Sequence, residues 1–209
     1  MIFANNSATE GGSLGVNNAN ITIINSHFRN NQALVSGGAI AIEGGFLHMN
    51  NCKFVGNSAT GNPATQSFGN GGAVNARGAG NDLYSIIGSL FENNTAAEAG
   101  GALHIESLNI REKSVLLTNV IFNLNMATGS GSCVSSSACD VRGGAAFISS
   151  PGAEIINCIF TKNSAKTAIS SQLAEGGALF TTDVYESNQF KLQTKLINCK
   201  FISNNAYGY

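Results

Sequence analysis

The sequence predicts an all-β chain wound as a right-handed, single-stranded parallel β-helix of about six turns, and three observations carry that prediction. The first is a recurring Phe-x-x-Asn-x-Ala, beginning at Phe3, Phe28, Phe54, Phe91, Phe122, Phe160 and Phe201. Each copy has its Asn three places on (Asn6, Asn31, Asn57, Asn94, Asn125, Asn163, Asn204) and its Ala two further (Ala8, Ala33, Ala59, Ala96, Ala127, Ala165, Ala206). The second is a Gly-Gly-Ala or near variant after each of the first six copies, from Gly11-Gly12-Ser13 to Gly176-Gly177-Ala178. The third is a period of two in hydrophobicity on either side of these motifs, the mark of strands. A fixed recurrence of this kind means stacked units, each burying its apolar face on the next.

Taken in order, each turn reads as three strands. Before the Phe, Ile21, Leu47, Tyr84, Val115, Ala153 and Thr194 face inward together with Ile23, Met49, Ile86, Leu117, Ile155 and Leu196. The column between them (Thr22, His48, Ser85, Leu116, Glu154, Lys195) faces out. A short strand then carries the Phe, whose ring is expected to lie on the ring of the turn below. After the glycines, Leu14, Ile40, Val74, Leu103, Ala146 and Leu179 face in, and Gly15, Ala41, Asn75, His104, Phe147 and Phe180 face out. The structural ladder is therefore expected to run through Phe28, Phe54, Phe91, Phe122, Phe160 and Phe201 beside Asn31, Asn57, Asn94, Asn125, Asn163 and Asn204. A further Asn column three places before the Phe (Asn25, Asn51, Asn119, Asn157, Asn198, with Gly88 as the exception) suits corners of left-handed backbone and amide-to-amide bonding along the axis. The first glycine of each pair suits a sharp corner, not a phosphate loop, since no Lys or helix signal follows it.

Composition narrows the function. Charged residues are 11% of the 209, the net charge is −1, and apolar residues are 43%. No nucleic-acid footprint follows from that balance, and a periodic apolar content of this size buries a core. No apolar run reaches the roughly 18 residues of a transmembrane helix. Both ends fall inside the motif with no polar cap, so residues 1–209 are expected to be one coil cut from a longer repeat protein.

Phe28-Arg29-Asn30-Asn31 paired with Gly37-Gly38-Ala39-Ile40 resembles the repeat of the chlamydial polymorphic outer-membrane proteins, and the same pairing covers essentially the whole chain. The resemblance implies an adhesin-like β-helix passenger displayed extracellularly or at a cell surface, such as a bacterial outer membrane. Its partners would be a protein or glycan at a cell surface, or neighbouring segments of a larger assembly. The carboxy-terminal membrane barrel of such proteins is not in this sequence.

Candidate chemistry is sparse. Cys52, Cys158 and Cys199 share one column, two places before the Phe, and read as small inward thiols; in-register neighbours give poor disulfide torsions. Cys133 and Cys139 lie in the inserted stretch 128–142 and read as a disulfide staple, with a metal pair as the alternative and only Asp140 at hand as a further ligand. His27, His48 and His104 are placed in outward columns of different strands, where no two share a metal. No nucleophile elbow, paired-carboxylate site or Walker loop is present, and no cofactor is implied. The expectation is a non-catalytic rod. The alternative is a carbohydrate-active enzyme or sugar-binding module on a pectin-lyase-like coil, which calls for a charged cluster in a groove; the outward column from Gly15 to Phe180 carries none. Insertions 60–70, 128–142 and 167–175 all fall at one corner and are expected to meet there. Phe147 and Phe180 beside them are the candidate binding residues, an exposed aromatic pair unless the loops cover it.

Overall fold

A computed structural model describes residues 1–62, 68–78, 82–107, 114–129, 140–167, 172–182 and 193–208. Within them every strand pairing is parallel and no helix occurs. The chain winds as a parallel β-helix. Its walls are two seven-stranded and two six-stranded sheets, so two walls have seven rungs where about six turns were expected. Phenylalanine strands form one wall, from Ile2–Ala4 to Lys200–Ile202. Strands that follow the glycines, such as Val74–Gly78 and Leu103–Ser107, form another, and strands that precede the Phe, such as Leu83–Ile87 and Val115–Thr118, a third.

The fourth wall corrects the three-strand reading. The Asn-x-Ala segment is itself a strand, as in Thr95–Ala96 and Met126–Thr128, and pairs rung on rung with alanine over alanine. Most of its strands are two or three residues with a single inward Ala, too little alternation for a period of two to show. Three left-handed corners turn the chain per rung. Asn25, Asn51, Asn119, Asn157 and Asn198 have φ of 50 to 54° and Gly88 has 56°; the first glycine of each pair has 56 to 65°. The third corner, two places after the Phe, was not read from the sequence, because its column mixes Asn5, Asn30 and Asn93 with Gly56, Leu124, Lys162 and Ser203. The second glycine of each pair is fixed by space. A Cβ on Gly101 would lie 2.0 Å from the Gly144 carbonyl oxygen of the next rung, so the walls approach there as closely as backbone allows.

The core is a set of columns. Phenyl rings stack from Phe3 to Phe201 with centroids 4.6 to 5.0 Å apart and planes within 12° of parallel, which is the strand spacing itself. Burying each ring stabilises the coil by about 1.5–3 kcal/mol. Beside them the Asn column is closed to water from Asn31 to Asn163. Asn94 shows why. Its Nδ2 donates to Asn125 Oδ1 at 2.9 Å and to the Phe54 carbonyl at 3.0 Å, while its Oδ1 accepts from Asn57 Nδ2 and from the Asn57 backbone N–H, both at 2.9 Å. Every hydrogen-bonding capacity of the amide is used, and the same pattern repeats at Asn57 and Asn125. This column, three places after the Phe, is the amide ladder. In the column three places before it, Asn51 donates to Asn25 at 2.7 Å, and Gly88 interrupts the sequence of amides above.

Candidate functional site

The cysteine column is turned inward and engaged with the backbone. Cys52, Cys158 and Cys199 are free, and each thiol points at backbone carbonyls, as Cys158 Sγ does at Ile156 O, 3.4 Å away. Ser26 and Ser89 do the same with their hydroxyls, at 2.9 Å. What the column requires is a small inward side chain, which caps the carbonyl two residues back where it is Ser or Cys and packs as an apolar group where it is Val120. Burial pushes the Cys52 thiol up and that of Cys158 up to about 11, so both stay protonated near neutrality. The proposed pairing of Cys133 and Cys139 lies outside the described residues.

The outer surface of the wall after the glycines differs. Its outward column was read as exposed, yet Ala41, Asn75, His104 and Phe147 are all buried. His104 therefore is not an outward histidine in water. Its ring lies 4.7 Å from that of Phe147 and 6° from parallel to it, and desolvation by burial, then the Arg77 charge, lowers its pKa to about 3. Phe147 and Phe180 do stack, at 5.6 Å, but Phe147 is only 8% exposed and the Arg142 guanidinium sits 5.3 Å above the Phe180 ring. The pair does not offer two open aromatic faces.

Charge was missed because it sits one step further along each strand. Two places beyond the buried column, cross-rung neighbours read Asn17, Glu43, Arg77, Glu106 and Ser149. Arg77 Nε donates to Glu106 at 2.8 Å, and His104 Nε2 is 3.8 Å from the same carboxylate. These side chains line an open groove of about 540 Å³ together with Asn18, Gly44 and Gly78. On the other side of Glu43 and Arg77 a smaller pocket of about 270 Å³ is lined by Glu10, Ser36, Phe68, Asn70 and Asn75. A listing of the column before Glu43 alone hides all of this. Extending it by two places in the sequence would have found it.

At the glycine corner the described parts of the three insertions do meet their neighbours. Val141-Arg142 pairs with Ala174-Glu175, the Leu173 N–H donates to Asp140 Oδ1 at 2.9 Å, and Arg142 bridges Asp140 at 3.0 Å and Glu175 at 2.9 Å. From the first insertion the Gly69 carbonyl accepts the Ala97 N–H at 2.9 Å, and Asn70 Oδ1 accepts the Ala99 N–H at 3.2 Å. Glu98, between those two residues, is raised to about 7, first by desolvation, against which the Arg142 charge acts. Among the described residues no group of His, Cys, Asp and Glu is arranged to hold a metal ion, and no helix is long and apolar enough to cross a membrane.

Two segments, residues 25–43 and 88–106, match the Chlamydia polymorphic membrane protein repeat. Both cover the same structural unit. Each starts at the left-handed corner before the Phe, passes through the Phe and Ala strands and the glycine corner, and ends on the charged column, at Glu43 and Glu106. No curated protein and no solved structure matches the chain.

Proposed function

We propose that this chain is a non-catalytic, adhesin-like rod exposed at a cell surface or outside the cell, whose β-helix presents a groove and an adjoining corner of insertions to a partner. The observation that carries the reading is the match of two rungs to the polymorphic membrane protein repeat, a repeat of surface proteins. Its physical support is the division of labour in the coil. Inward columns are spent on stacking and on saturated amides, so contact with anything else falls to the outer wall and the corner. Fluorescently labelled chain should bind cultured epithelial cells saturably, and a heat-unfolded control should not. Binding no greater than that of an unrelated β-helix of similar charge would end the reading.

One observation favours a second reading. The groove holds Glu43 and Glu106 around Arg77, the kind of charged cluster that a carbohydrate-active enzyme or sugar-binding module on this coil calls for. Incubation with a panel of polysaccharides, read as new reducing or unsaturated ends, separates the two. Release of such ends would move the chain into that class.

A further inference from the structure

The smaller pocket has an unusual inventory. Its ring is Phe68, 40% exposed; its floor includes Asn75, 4% exposed, whose Oδ1 is buried with no hydrogen-bond partner. Glu10 and Glu43 stand at its edge, both exposed. Asn70 is already engaged, since its Oδ1 accepts the Ala99 N–H. Arg77, the one cation among the described residues of the lining, is held through Nε by Glu106 on the far side, in the larger groove.

We propose that this pocket receives a basic side chain, an arginine guanidinium, from a protein partner whose backbone follows the groove past Glu43. Each feature asks for the same chemistry. An unpaired buried amide oxygen needs a donor, and two carboxylates need donors or positive charge. The face of an aromatic ring attracts a planar cation and lets it stack. An anion meets Glu10 and Glu43 instead and is excluded. A sugar hydroxyl brings acceptors as well as donors and leaves the carboxylates without a counter-charge. The inference deepens the surface-rod reading and rests on it for the partner being a protein.

The test is a titration of the isotope-labelled chain with N-acetyl-arginine amide, its uncharged citrulline counterpart and methyl glucoside, followed by amide chemical shifts. The arginine compound is expected to move the Asn75 side-chain amide and the signals of Ser36 and Asn70, and citrulline to bind at least about tenfold more weakly. Phe68→Ala and Glu43→Gln, both at exposed positions, should each weaken arginine binding about fivefold while leaving the rest of the spectrum in place. Equal binding of citrulline, shifts elsewhere on the coil, no saturable shift, or preference for the glucoside would overturn the proposal. Failure here with cell binding intact removes the pocket and leaves the rod. Loss of cell binding with arginine binding intact does the reverse.

Discussion

Asn94 and Asn75 are both buried, at 0% and 4% exposure, and the hydrogen bonding around them is opposite. Asn94, inside the coil, spends both amide hydrogens and both oxygen lone pairs on neighbouring rungs. Asn75, on the outer wall, leaves its Oδ1 without a partner. The coil therefore contains two kinds of buried amide. One closes the structure, and the other sits where the structure has been left open beside a pocket. The difference teaches that burial alone does not separate scaffold from site; the accounting of donors and acceptors does.

The most direct way to break this contrast is to truncate both. Asn94→Ala strips the acceptor from the Asn57 N–H and Nδ2 and the donor from Asn125 Oδ1 and the Phe54 carbonyl, all of them buried. Asn57 Nδ2 keeps the Phe28 carbonyl and Asn125 Oδ1 keeps the Asn94 N–H, so the loss should be about 3 kcal/mol or more: about 1–3 kcal/mol for the orphaned Asn57 N–H and about 1 kcal/mol for each further bond removed. Asn75→Ala removes an amide oxygen with nothing to lose and should change stability by about 1 kcal/mol or less in either direction. Urea unfolding followed by far-ultraviolet circular dichroism measures both. Similar midpoints for the two variants would show that the outer amide is structural after all.

The same logic sharpens along the axis. Phe91 is fully buried between two rings, whereas Phe201 is 46% exposed and stacks on Phe160 from one side. Phe91→Ala should cost about 3–5 kcal/mol, the range for a large core ring, and Phe201→Ala less than half of that. Thermal melts of the two variants rank them. A Phe201 variant as unstable as the Phe91 variant would mean that the rings act as one cooperative column and not through local burial.

How much of this was legible follows from which columns are uniform. Seven phenylalanines, seven asparagines and six glycine pairs in fixed spacing define the rung, and a parallel coil is the arrangement that lays them over one another. The Ala wall escaped because one small residue per strand makes no alternation. The third left-handed corner escaped because Leu124 and Lys162 adopt it without being residues that favour it. The groove escaped for a related reason. Glu43, Arg77 and Glu106 are chemically unlike one another, so their column shows no pattern until the register aligns them. His104 and Phe147 looked solvent-facing because side-chain direction along a strand is set by parity, whereas exposure is set by what packs on the outer surface.

Acidity offers the finest probe of that outer wall. His104 is buried beside Arg77, with the Glu106 carboxylate 3.8 Å from its Nε2, and its pKa falls from 6.5 to about 3. It folds as the neutral ring, so its contribution to stability is present above pH 6.5 and is lost as pH falls toward 3. Glu98 behaves oppositely, since desolvation raises it from 4.5 to about 7 despite Arg142. Its contribution is full below pH 4.5 and fades as pH rises through 7. Between pH 4.5 and 6.5 the two slopes oppose each other, and the native chain should show a shallow profile there. His104→Phe, which places a ring on that of Phe147, leaves the Glu98 slope alone, so the variant should lose stability steadily from pH 4.5 to 7. Glu98→Gln should gain stability over the interval from pH 3 to 6.5. Melting temperatures across pH 3 to 8 separate these curves, and profiles that coincide would mean that neither His104 on the wall nor Glu98 at the glycine corner is held away from water, leaving the amide of Asn75 as an isolated defect in place of one member of an enclosed surface.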